Sequence, residues 1–246
     1  MPDADPPLDR NDLESLLRVR KLDHTIIDDG RWPIDDGRST IDDRRSVPTG
    51  IADLDARLNG GLPRGHLSEV VGPRSSGRLA TLVSALVRAT ARGEAVALID
   101  PLDMFDPVSA SASGVDFTRM LWVRGEASCS ARVSLSCEYG TQQKALDRAV
   151  KALNLVLQAG GFGVVVLDLG EIAPQTIKRL PYTTWLRLHR VIEGGETACV
   201  LIGSEPIARS AGGVTVQLGH GTARVIRARK LEGDHHVRVP LSAAAC

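Results

Sequence analysis

Residues Leu67–Ala91, LSEVVGPRSSGRLATLVSALVRATA, constrain the fold more than any other stretch of this chain. A strand at Leu67–Val71 runs into GPRSSGRL (Gly72 to Leu79), and a helix over Leu79–Ala91 follows at once. A five-residue buried strand turned into a helix through two glycines five apart belongs to a parallel sheet, because a helix must cross over before the next strand can run the same way. The pattern then repeats. AVALIDP (Ala95–Pro101), MLWVRG, FGVVVLDLG ending at Asp168 and TACVLIG are further apolar strands. Between them lie helical patterns at Pro107–Ser113, Gln142–Ala159 and Gln175–Ile192, and a first helix at Ile51–Leu58 precedes the series. The tail VTVQLGHGTARVIRARKLEGDHHVRVPL alternates apolar and polar residues between glycine turns, so it reads as antiparallel strands. The expected class is α/β: a mainly parallel sheet covered by helices on both faces, with antiparallel C-terminal strands.

The 46 residues before this core differ in texture. Leu13, Leu16, Leu17 and Leu22 lie at near-helical spacing in DRNDLESLLRVRKL (9–22), with Asn11 or Asp12 as a cap. IDDGR, IDDGR and IDDRR then follow at a period of seven, starting at Ile27, Ile34 and Ile41. One isoleucine per heptad, with Gly30, Pro33 and Gly37 inside, cannot form a coiled-coil seam, and the calcium-loop spacing is missing. The repeats read as a solvated acidic linker; the sharper alternative is a segment that docks on a basic partner. The division is therefore 1–46, helix plus linker, and 47–246, core. Net charge is zero overall, but residues 1–46 carry 12 acidic against 8 basic residues and the remainder 18 against 22.

No global field marks the chain for nucleic acid or a membrane surface. The four cysteines show no CxxC pair and no zinc-ligand spacing, as expected of free thiols in a reduced cytosol. An acidic, proline-rich start and the lack of a long apolar run point to a cytoplasmic protein without a membrane segment.

Gly72 and Gly77, with the small polar Ser75 and Ser76, retain the G-x-x-x-x-G cradle in which backbone N–H groups hold phosphates. The cradle lacks its usual chemistry. Arg78 stands where the pattern wants lysine, and a planar fork does not replace a compact ammonium. Leu79 stands where a hydroxyl would bind magnesium. Asp168 closes its strand where a magnesium-holding aspartate belongs. The loop then reads as a strand-to-helix turn kept by the fold, with ATP and magnesium binding expected to be absent.

VPTGIADLDARLNGGLPRGHLSEVVGPRSSGRL and ALIDPLDMFDPVSASASGVDFTRML resemble the RecA recombinase core, and the resemblance extends roughly from Val47 to Lys230. It implies a RecA-like P-loop NTPase fold. It also assigns Leu102 to the place of a catalytic glutamate, with Asp103 beside it, and Ser204 and Glu205 to the place of a γ-phosphate-sensing glutamine. With charge carrier, magnesium ligand, base and sensor all altered, no ATP hydrolysis is expected.

The stretches after Asp168 and after Glu205 leave little room for the two DNA-binding loops of RecA. Arg224, Arg227, Arg229 and Lys230 form a basic tail that reads as a solvated strand face or a phosphate-contacting patch. Trp122, Tyr182 and Trp185 are too dispersed for a single-strand stacking platform. His66, His235 and His236 lack partners at metal or catalytic spacing.

A compact core, short DNA loops and a leucine helix are similar to the ImuA family of accessory proteins in bacterial translesion synthesis. That resemblance implies contact with RecA, with an ImuB-type polymerase homologue and with an alternative replicative-type polymerase, DNA contact being weak or indirect. It makes Leu13, Leu16 and Leu17 the candidate partner-binding residues. Two alternatives stay open: a cell-division inhibitor of the SulA type, and a RecA-family DNA-repair ATPase with weak activity.

Overall fold

The computed structural model describes residues 45–125, 139–208, 213–219, 222–227 and 238–240. In chain order the elements are β1 (Ser46–Val47), α1 (Ala52–Arg57), β2 (Leu62–Pro63), β3 (Leu67–Val71), α2 (Arg78–Ala91), β4 (Ala95–Asp100), α3 (Pro107–Ala112) and β5 (Met120–Arg124). They continue as α4 (Tyr139–Ala159), β6 (Phe162–Asp168), α5 (Pro174–Ile177), α6 (Tyr182–Ile192), β7 (Ala198–Gly203), β8 (Val214–Gly219), β9 (Thr222–Arg227) and β10 (Arg238–Pro240). β1 and β2 pair as a two-stranded antiparallel ribbon. The other eight strands form one sheet in the order β10-β9-β8-β3-β7-β6-β4-β5. Every pairing from β8 through β5 is parallel, and β9 and β10 join antiparallel.

Strand periodicity of two explains the two cores. Val70, Val96, Leu98, Val164, Val166, Val200 and Ile202 pack with Leu82, Leu86 and Ala89 of α2 on one face. Their sequence neighbours Ala97, Ile99, Val165, Leu167, Cys199 and Leu201 pack on the other, against Leu146, Ala149 and Leu153 of α4 and Trp185 and Leu188 of α6. β3 and β7 are buried at every position; β7 is apolar to match, whereas β3 carries Ser68 and Glu69, whose polar atoms find internal hydrogen-bond partners. β8, nearer the edge, alternates buried and more exposed residues.

Local chemistry sets the element ends. Asp106 caps α3 by accepting the Val108 N–H (3.0 Å), with Pro107 in the first turn where its missing N–H costs nothing. The helix expected over Gln175–Ile192 is two helices, α5 and α6, and Pro181 stands at the N-cap of the second. Proline has no N–H to donate and its ring obstructs the preceding turn, so a continuous helix through Pro181 is blocked. α2 begins at Arg78, one residue earlier than expected. Residues 9–22 and the IDD repeats lie outside the described residues.

One buried charge ties β3 to β8 and to the segment that leads into it. Glu69 on β3 is 1% exposed. Its Oε1 accepts the N–H groups of Ile207 (2.6 Å) and Ala208 (2.7 Å), and its Oε2 accepts the Thr215 hydroxyl (2.9 Å). The carboxylate thereby anchors the connection from β7 to β8. Glu69→Ala strips two buried N–H donors of their acceptor, so a loss of about 2–5 kcal/mol is expected in urea unfolding. Glu69→Gln, which keeps a carbonyl at one of the two oxygens, should lose clearly less.

Candidate functional site

Because β3, β7, β6 and β4 run in parallel, their carboxyl ends share one rim of the sheet, the edge where open α/β folds build their sites. On that rim lie the glycine loop after β3, Gly203 of β7, Asp168 of β6 and Asp100 of β4. The Gly72 N–H donates to the Gly203 carbonyl (3.1 Å). A Cβ on Gly72 would stand 2.5 Å from the Leu218 carbonyl oxygen, so no side chain fits there. The loop turns through Ser75 (φ 60°) and Gly77 (φ 91°), left-handed conformations that glycine adopts without strain. Thr81 closes the first turn of α2 by donating both its N–H (2.9 Å) and its hydroxyl (3.0 Å) to the Gly77 carbonyl.

Arg78 is buried, 5% exposed, and every contact of its guanidinium is internal. Nη1 donates to the Gly72 carbonyl (2.6 Å), and Nη2 donates to the Gly170 carbonyl (3.0 Å) and to Glu171 Oε1 (2.7 Å). The other Glu171 oxygen accepts from Arg74. Leu79 is 44% exposed and offers no oxygen.

Asp168 accepts the Gly170 N–H at 2.8 Å. Burial pushes its carboxyl up to about 6; the Gly170 bond pulls the other way, Asp100 pushes up, Arg78 pulls down and Glu171 pushes up. Asp100, 1% exposed, accepts the N–H groups of Met104 (3.0 Å) and Phe105 (2.9 Å). It fixes the turn after β4.

The places that the RecA resemblance gives to a base and a sensor are engaged elsewhere. Leu102 is 4% exposed within the α4–α6 core. Asp103, its neighbour, takes two bonds from Arg124 (2.8 and 2.9 Å), whose guanidinium also lies 4.5 Å over the Trp122 ring. Glu205 pairs with Lys178 at 2.7 Å.

Of the loop residues and Asp168, the fold thus brings Gly72, Arg78 and Asp168 together and leaves Leu79 pointing to solvent. Arg224 and Arg227 both lie on β9, opposite Gln217 and Val214 of β8, while Arg229 and Lys230 fall outside the described residues, as do Leu13, Leu16 and Leu17. Trp185 is a core residue, 4% exposed. The His66 ring lies 5.8 Å from that of His189; burial and that neighbour hold its pKa below the usual histidine value. His66 precedes β3, at the opposite end of the strand from the loop. Cys199 is a buried free thiol, pushed up to about 12 by desolvation. Among the described residues, no group of three or more His, Cys, Asp or Glu side chains could hold a metal ion, and no helix is long and apolar enough to cross a membrane.

Residues 34–132 match the RecA N-terminal domain. The fold is RecA-like. The chain is 31% identical to the RecA protein of Symbiobacterium thermophilum over 123 residues, 50% of this chain and 30% of that protein. It is 40% identical to RecA of Prochlorococcus marinus over 76 residues, 31% of this chain and 20% of the relative. Against RecA of Chlorobaculum tepidum the figure is 29% over 131 residues, 52% and 33% of the two chains. The chain thus spans about a third or less of the length of these curated relatives.

Sequence reasoning missed Glu171, Arg74 and Glu69. Glu171 stands three residues after Asp168 but 93 residues from Arg78, a separation that no local periodicity reports. The available signal was a mismatch: an arginine at the lysine position, destined for a buried site, needs a carboxylate from another segment.

Two outcomes check this reading of the rim. The folded protein holds a proton on Asp168 that the unfolded chain, near the ordinary 3.8, has already released. Stability from this group therefore falls as pH rises from about 4 through 6, by roughly 3 kcal/mol in all. Asp168→Asn should be more stable than the parent at pH 7.5 in urea unfolding, and the advantage should shrink as pH falls below 6. Leu102→Glu should cost at least about 3 kcal/mol, since it buries a carboxylate among apolar side chains, and should release no phosphate from ATP.

Proposed function

We infer that this chain is a non-recombinogenic, RecA-like accessory factor of bacterial translesion synthesis that acts by binding partners rather than by hydrolysing ATP. The observation that carries the reading is the Arg78–Glu171 pair: the charge that would meet a terminal phosphate is buried against the protein's own carboxylate. Leu102 in the core and Asp103 paired with Arg124 point the same way, since neither presents a base to an attacking water. The connection from β6 to α5 is only residues 169–173, with Leu169 and Ile172 buried, which leaves no long arm for DNA.

The partners in this reading are RecA, an ImuB-type polymerase homologue and an alternative replicative-type polymerase. Leu13, Leu16 and Leu17 supply the apolar face that seats on RecA, and contact with DNA is indirect. A weakly active RecA-like ATPase is the second reading, favoured by the intact glycine turn and by Asp168 on the same rim. Phosphate release separates the two. Purified protein with ATP and magnesium should release no phosphate above a protein-free blank, and turnover that Asp168→Asn abolishes would overturn the accessory reading. In a pull-down from DNA-damaged cells of a RecA-containing bacterium, the tagged full chain should retain RecA. Leu16→Asp should lose it while keeping the parent's melting temperature.

A further inference from the structure

The glycine loop carries two arginines, and one carboxylate takes both. Glu171 Oε1 accepts from Arg78 at 2.7 Å and Oε2 accepts from Arg74, so each oxygen serves one guanidinium. This is the bidentate bridging that a phosphate group would make with the same two side chains. Gly170 allows it, for a Cβ there would lie 2.9 Å from both Nε and Nη2 of Arg78. The guanidinium is therefore packed against the Gly170 backbone. Beside it, Ser76 Oγ is buried in the loop with no hydrogen-bond partner among the described residues. Such a hydroxyl has a donor to offer to an incoming oxygen.

We propose that Glu171 is the resident anion of the glycine loop, a built-in ligand that satisfies Arg74 and Arg78 and closes the cradle to polyphosphates. The proposal rests on the accessory reading only in taking the loop as unused for hydrolysis, and it explains how nucleotide is kept out of a turn whose backbone still fits one. An incoming polyphosphate must break two charge-assisted bonds and repel a carboxylate. Removing that carboxylate leaves a buried cation with two backbone carbonyls but no counter-charge, which an anion from solution can supply.

Inorganic tripolyphosphate is the probe, read by titration calorimetry on the full chain. The parent should bind it no better than a non-specific polyanion, whereas Glu171→Gln and Glu171→Ala should gain at least about tenfold in affinity. Adding Arg78→Met to either variant should erase the gain. Tripolyphosphate binding to the parent as tight as to the variants overturns the proposal, and so does a folded variant with no gain. If a variant loses its cooperative melt, tripolyphosphate should restore it, and failure to do so counts against the proposal. In the parent, amide exchange of residues 72–79 should not change with millimolar tripolyphosphate; new protection there is contrary evidence. RecA retention by the parent is untouched by any of these results, so the two readings fail separately.

Discussion

A buried guanidinium organises the carboxyl rim of this sheet. Removing an arginine from water is costly, and the cost is offset only if its donors meet acceptors of good geometry. Arg78 meets three, from three points on two segments: the carbonyl of Gly72, the carbonyl of Gly170 and the carboxylate of Glu171. The planar fork matters. A lysine ammonium has three donors on one point charge and could not span Gly72 and the β6 exit in the same way. The residue that departs from the phosphate-loop pattern is thus the one that sews that loop to the neighbouring strand end. Its path also dictates Gly170, where any side chain would collide with it.

The same device recurs along the rim with acidic residues. Asp100 receives two backbone N–H groups beyond β4, Asp168 receives one beyond β6, and Glu69 within β3 receives two from the segment that leads to β8. Each carboxylate anchors the loop that follows a strand, or a loop beside it, by accepting donors that would otherwise be orphaned. Rim carboxylates are the groups from which RecA-like sites recruit magnesium and a base. Here they have structural duties. Asp168 shows the tension between the two roles: its one backbone bond does not outweigh desolvation, and its carboxyl is pushed up to about 6.

Much of the architecture was legible in the sequence. The apolar runs in AVALID, FGVVVLD and ACVLIG match β4, β6 and β7 closely, because burial on both faces favours apolar residues along the strand, and LSEVV matches β3 despite its buried Ser68 and Glu69. The tail's alternation likewise reports β8 and β9, which pair antiparallel with each other, although β8 itself joins β3 in parallel rather than antiparallel. The failures have physical causes. The α5–α6 break was missed because apolar spacing continues across Pro181, and the β1–β2 ribbon was missed because two-residue strands leave no periodic trace. At the site, the motif located the loop, and the departures at Arg78, Leu79 and Leu102 were visible as departures. What each substituted residue does instead was not visible. Leu102 joins the core, and Arg78 finds Glu171, through contacts that exist only after the strands have been ordered in space.

These contacts bear on how the charge of such a loop is balanced within the fold. A phosphate loop without a phosphate presents converging donors and nearby arginines, an arrangement that repels itself unless an anion is present. A protein that bound nucleotide could leave that charge to its ligand. A chain can also supply the anion from its own residues. This one supplies it. Glu171 is reached only because Leu169 and Ile172, both buried, hold the segment after β6 down against the sheet, and a long mobile arm at that point would carry the carboxylate away. The short β6–α5 connection and the counter-charge on Arg78 thus lie in the same five residues after Asp168.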